Sequence, residues 1–167
     1  MINLRRFSYF CRIIKLGGIK MTEYFINKGT CAIIPLGEEV SKVIELDNEF
    51  IVSRSVNDII NDSCKYYGSS YKGRFEGSKK ILKMNYKLPI VVEEYNNIIF
   101  FPTSSPRLGQ STWISLKNIS NYVKNGKNSK IYFCGNSLNL EISYYCLENQ
   151  IFRATMLESL IRRRKDM

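Results

Sequence analysis

The chain has 167 residues, of which 44 % are hydrophobic and 13 % aromatic, so it is long and apolar enough to fold around one substantial core. It contains no histidine, which excludes imidazole acid–base catalysis, Ser/His and Cys/His nucleophile pairs, and every zinc site that needs histidine. The 25 basic and 15 acidic residues give a net charge of +10, which favours an anionic partner.

Residues 1–20 hold five of the basic residues and no acid, which leaves residues 21–167 with a net charge of +5. Gly17 and Gly18 lie a few residues before Met21. Guanine-rich glycine codons just ahead of a second start codon resemble a bacterial ribosome-binding site that has been translated as if it were coding sequence. We therefore predict that residues 1–20 are a mis-assigned start, or else a disordered basic arm, and that one domain comprises residues 21–167. The alternative is a short amphipathic helix with the apolar residues Phe7, Phe10, Ile13 and Ile14.

The five cysteines are odd in number and scattered, and no two form a CxxC pair. This pattern is typical of buried thiols in a reducing compartment rather than of disulfides or a metal cluster. No apolar run reaches the length of a membrane span, and Arg12 and Lys15 interrupt the tract of residues 7–16. We expect a cytoplasmic protein with no membrane contact, no metal and no cofactor.

From Glu23 onward, short β-like runs alternate with turn residues and predict antiparallel hairpins. These runs are 24–26, 31–34, 40–46 and 50–52. Ser55 then begins a predicted helix, with Asp58 as a capping carboxylate and Gly68 as its stop. The apolar residues at helical spacing are Val56, Ile59, Ile60, Cys64 and Tyr67.

Residues 68–80 are predicted to form a basic loop, which is followed by a second series of strand candidates. These candidates are 81–82, 89–92, 98–101, 113–114, 119–123 and the hairpin of 130–134 with 138–142. A C-terminal helix is predicted from about Ser143 into the basic residues 162–165. The fold class is therefore α+β, with a mainly antiparallel sheet, a central helix and a C-terminal helix.

Segment 62–80 interleaves cations with aromatic rings and glycines. Lysine and arginine neutralise phosphates and rings lie against nucleoside faces, so this composition suits a nucleic acid. The plainer alternative is that the rings belong to the core and the lysines form a solvated rim. Two further loops rich in asparagine, serine and cations are 103–112 and 124–130.

The residues for which we predict contact with phosphates or a DNA groove are Lys65, Lys72, Arg74, Lys79, Lys80 and Arg107. We expect Ser69, Ser70 and Tyr71 to shape the loop, and Tyr67 and Trp113 to lie in the core.

Nothing in the sequence supports catalysis. Residues 68–73 have the glycine spacing of a P-loop, but Arg74 and Phe75 stand where Lys and Ser/Thr are required, and a helix precedes them instead of a strand. The adjacent acids at 38–39 and at 93–94 point apart on strands. We predict no enzymatic activity.

Five segments resemble the competence transcription factor family, ComK, of Gram-positive bacteria. They are DSCKYYGSSYKGR (62–74), KLPIVV (87–92), IIFFPTSSP (98–106), TWIS (112–115) and ISYYCLENQIFRA (142–154). The resemblance implies a cytoplasmic activator of genes for DNA uptake and transformation. Such a protein recognises paired A-tract and T-tract boxes in double-stranded promoter DNA, largely through the minor groove, as a dimer that assembles further on DNA.

The resemblance also implies contact with RNA polymerase, and capture by an adaptor–protease system through a basic and aromatic tail, which is short in this chain. One alternative is a non-catalytic interaction module or a truncated, activation-defective family member. Another is binding of RNA or single strands through the tyrosines.

Overall fold

A six-stranded sheet forms the centre of the computed structural model, which describes residues 21–167; the predictions for residues 1–20 fall outside this range. The strand order is β3-β2-β1-β6-β5-β4, and all neighbours are antiparallel. The strands are β1 (Thr30–Pro35), β2 (Ser41–Glu45), β3 (Glu49–Val52), β4 (Ile90–Glu93), β5 (Ile98–Pro102) and β6 (Trp113–Ser115). A smaller antiparallel sheet contains β7 (Ile119–Asn125), β8 (Asn128–Phe133) and β9 (Asn136–Leu140).

Three α-helices accompany the sheets, and each begins at a serine whose hydroxyl accepts the backbone N–H three residues later. They are α1 (Val56–Tyr66) after Ser55, α2 (Tyr71–Leu82) after Ser70 and α3 (Tyr144–Lys165) after Ser143. Gly68 follows α1 with a φ of 83°, a left-handed conformation that glycine adopts without a steric penalty. In residues 21–167, no helix has both the length and the apolar character needed to cross a bilayer.

The central sheet is covered on both faces. Ile33, Phe100 and Trp113 point toward α1, in one cluster of buried residues. Their strand neighbours Ala32, Phe101 and Ile114 point the other way and join α3 and the small sheet in a second cluster. Because both faces are buried, the central strands have continuous apolar sequences rather than an alternating pattern.

The predicted α+β class is confirmed, and most predicted runs correspond to strands within one or two residues. The prediction for residues 68–82 is wrong in detail, because the expected loop and the strand candidate at 81–82 form the continuous helix α2. Gly73 and Gly77 lower the helix propensity of this segment. Its buried Ser78 and Leu82 form the inward side of α2, which packs on β4 and α3. The run 24–26 is also not a strand, although Tyr24 and Ile26 are buried.

Gln150 attaches α3 to two segments of the central sheet. Its side chain is buried, and Nε2 donates to the carbonyl oxygens of Lys87 at 3.0 Å and Pro102 at 2.7 Å. One turn later, Arg153 Nη1 donates to the carbonyl of Tyr86 at 2.9 Å. One buried amide therefore holds the segment before β4 and the end of β5 against the same helix.

We expect Gln150→Ala to lower the free energy of unfolding by about 2 kcal/mol, because it leaves two carbonyl oxygens near the core without a donor. Asn149→Ala, at the exposed neighbouring position on α3, is the control and should change it by less than about 0.5 kcal/mol. Urea unfolding followed by circular dichroism measures both. Equal losses for the two variants would show that the Gln150 hydrogen bonds do not stabilise the fold.

Candidate nucleic-acid interface

The outward side of α2 and the residue that caps its C-terminus form a basic face, which we define as Lys72, Lys79, Lys80 and Lys83. All four side chains are exposed. One acid, Glu76, lies among them, with its carboxylate 3.9 Å from the Lys79 ammonium. At 1.5 Å per residue the face is about 16 Å long, which matches roughly five base-pair steps of DNA.

A cleft of about 510 Å³ opens beside the first turn of α2. Its walls come from Asn57 and Asn61 of α1, from Tyr71, Lys72 and Phe75 of α2, from residues 85–87 and 105–107, and from Trp113 of β6. Lys72, Lys87 and Arg107 bring three cations to these walls, against the single acid Asp58. The cleft is therefore a positively charged site with aromatic sides.

The loop that carries Arg107 is held by hydrogen bonds at both of its ends. Ser111 Oγ accepts from Ser104 N and donates to Ser104 O, both at 3.2 Å. At its tip, residues Pro106–Leu108 form one 3₁₀ turn, whose Pro106 carbonyl accepts from Asn57 Nδ2 of α1 at 3.1 Å. The turn presents Arg107 and Leu108 to solvent, and the Leu108 side chain is 76 % exposed.

Tyr71 and Trp113 form the inner wall of the cleft. Their rings are edge to face with centroids 6.0 Å apart, and Trp113 is fully buried. Burial raises the pKa of the Tyr71 hydroxyl, the negative charge that Cys64 gains when it ionises at high pH raises it further, and the charge of Arg107 opposes both. Arg107 and Tyr71 both line this cleft.

Arg74 has a different environment from the other predicted contacts. Its Nη1 lies 2.7 Å from Glu94 Oε1, and only 16 % of its side chain is exposed. It lines a second groove of about 340 Å³ between α2 and α3, together with Glu94, Arg164 and Lys165. Contact of Arg74 with DNA stays a prediction, but the ion pair gives this residue a structural role that its position in the sequence did not indicate.

The structure brings together four of the six predicted site residues. Lys72 and Arg107 share the cleft, and Lys79 and Lys80 share the basic face with Lys72. Lys65 is exposed in the last turn of α1 and lines neither groove. The sequence interpretation missed Lys83 and Lys87. Lys83 caps the C-terminus of α2 in a left-handed conformation, which the sequence did not indicate, and Lys87 lines the cleft in a segment whose backbone is held by Gln150.

Two of the four cysteines in the described part of the chain are buried, as predicted, and two are exposed, contrary to the prediction. Burial raises the pKa of Cys31 to about 12 and that of Cys64 to about 11, so both thiols stay protonated at neutral pH. The exposed pair is Cys134, in the turn between β8 and β9, and Cys146, in the first turn of α3.

Comparison with known proteins agrees with the resemblance described above. A protein-family model described as "ComK protein" matches residues 21–166. The "Competence transcription factor" of Bacillus subtilis (strain 168) is 34 % identical over 151 residues, which cover 87 % of this chain and 79 % of that protein. No solved structure gives a significant match.

We expect Arg74→Ala to cost about 1 kcal/mol more unfolding free energy than Lys72→Ala, because the Arg74 stem is packed whereas Lys72 is exposed on the same helix. Both variants remove one positive charge from the first turn of α2, so they form a matched pair. Urea unfolding gives the two values. A loss at Arg74 no greater than that at Lys72 would contradict the structural role.

Proposed function

This chain belongs to the ComK family, and from that membership we propose that it is a DNA-binding transcription factor that activates competence genes. The relative from Bacillus subtilis has the printed name "Competence transcription factor". We infer the same role for this chain. It would bind double-stranded promoter DNA in the cytoplasm and would not catalyse a reaction.

The observation that supports DNA binding is the basic face of α2, together with the cations of the cleft beside it. Lys72 belongs to both, and Arg107 and Lys87 extend the positive surface beyond the helix. Lysine contacts to phosphates release condensed counterions, and this release supplies most of the sequence-independent affinity for DNA. We place the phosphate backbone along the basic face.

We infer that A/T-rich boxes are recognised through the minor groove by the turn of residues 106–108. The narrow minor groove of A-tracts has an enhanced negative potential that attracts arginine. Arg107 stands at the exposed tip of a hydrogen-bonded turn, and Leu108 beside it is the kind of apolar side chain that proteins insert between base steps.

We further propose that the chain binds paired boxes as a dimer or higher assembly. The outer side of α3 exposes Tyr145 and Phe152, which are seven residues apart and so share one side of the helix. These side chains support self-association through α3. Contact with RNA polymerase and adaptor–protease control stay predictions from the family.

DNA binding is tested by gel shift with two duplexes of equal length, one with two A/T-tract boxes and one rich in G·C. We expect the A/T duplex to bind at least about tenfold more tightly, a difference of ~1.4 kcal/mol, because shape readout favours the narrow groove. Equal affinity would contradict the sequence-preferring activator. Absence of binding to either duplex would favour the interaction module instead.

The location of the interface is tested by replacing Lys72, Lys79 and Lys80 together with glutamine. We expect the dependence of log K on log salt to become shallower by roughly 2 to 3, because each lost phosphate contact removes about 0.9 from the slope. The matched control replaces Lys124, Lys127 and Lys130, which lie in the β7–β8 hairpin and carry the same charge. If the hairpin variant lost more of the salt dependence than the α2 variant, the DNA interface would lie on that hairpin instead.

A further inference from the structure

Trp113 forms part of the inner wall of the cleft. Trp113 is fully buried and lines the cleft, and its Nε1 has no acceptor among the described residues. The Tyr71 ring, 6.0 Å away between centroids, offers at most a weak N–H···π contact.

The cleft concentrates positive charge. Lys72 and Arg107 line it and form no ion pair within residues 21–167. Lys87 adds a third cation, which lies 5.2 Å from the centroid of the Tyr86 ring. The one carboxylate, Asp58, already accepts a hydrogen bond from the Ser55 hydroxyl at the start of α1. The charge of the cleft therefore favours an anion.

Aromatic walls give the cleft a second chemical character. Tyr71 and Phe75 have ring centroids 5.9 Å apart, and Tyr86 lines another part of the cleft. These rings offer a surface for a flat apolar group, and a volume of about 510 Å³ lies in the range of small-molecule sites, ~300 to 1,000 Å³. A ligand that matches both features has a negative group and a flat ring.

We propose that this cleft binds a nucleoside phosphate. Lys72 and Arg107 neutralise the phosphate, and the base lies against Tyr71 and Phe75. The ligand is either a free nucleotide or a nucleotide unit of a bound DNA strand. Because Lys72 and Arg107 also belong to the proposed DNA interface, a free nucleotide would compete with DNA for the same cations.

Trp113 is the only tryptophan in the chain, so its fluorescence reports on the cleft directly. The full chain is titrated with AMP, adenosine and inorganic phosphate, and calorimetry confirms each binding curve. We expect AMP to bind at least about tenfold more tightly than adenosine or phosphate, because it engages both the cations and the rings. Arg107→Gln should weaken AMP binding by about tenfold, and the control Lys124→Gln in the β7–β8 hairpin should not.

Three results would overturn the proposal. These are no saturable binding of AMP up to about 10 mM, equal affinity for AMP and inorganic phosphate, and equal affinity of Arg107→Gln and Lys124→Gln for AMP. Failure of AMP binding while the A/T duplex still binds would refute only the nucleotide site. Loss of duplex binding with AMP binding intact would refute only the proposed DNA function.

The anisotropy of a labelled A/T duplex distinguishes the two sources of the ligand once AMP binding is established. Release of the duplex by AMP means that a strand of the DNA occupies the cleft or its cations. A duplex that stays bound while AMP saturates the cleft assigns the site to a free nucleotide.

Discussion

The two hydrogen bonds of Gln150 are the interaction on which the candidate interface depends. Nε2 joins the carbonyl of Lys87, in one wall of the cleft, to that of Pro102, where the loop toward Arg107 begins. Because Gln150 is buried on α3, the C-terminal helix sets the separation of two cleft walls that are distant from it in sequence. The segments 87–92, 98–106 and 142–154, which carry much of the family resemblance, therefore meet at one buried amide.

Helix α2 combines a structural and a charged role because its two sides have different neighbours. Its inward side, which includes the buried Ser78 and Leu82, packs on the edge strand β4 and on α3. Arg74 reinforces the contact by its ion pair with Glu94. The outward lysines are exposed to solvent, so their charges can contact phosphates.

Local patterns predicted much of the fold, because caps and turns depend on neighbouring residues. The helix start at Ser55, its stop at Gly68 and the hairpin through Gly135 are such features, and the structure confirms them. Helix α2 was missed because Gly73, Gly77 and its cations give it neither strong propensity nor an apolar stripe, and tertiary packing stabilises it instead. Likewise, the sequence indicated cations at Lys72 and Arg107 but not their shared cleft, which two loops and α3 assemble.

We propose that the basic face of α2 and the turn carrying Arg107 form one DNA-binding surface. Hydrogen–deuterium exchange of the full chain, free and bound to an A/T-box duplex, tests it most directly because it reads all segments at once. We expect slower exchange on DNA binding in peptides covering residues 69–83 and 103–112. Slower exchange confined to the hairpin of residues 124–130, or to α3, would contradict it.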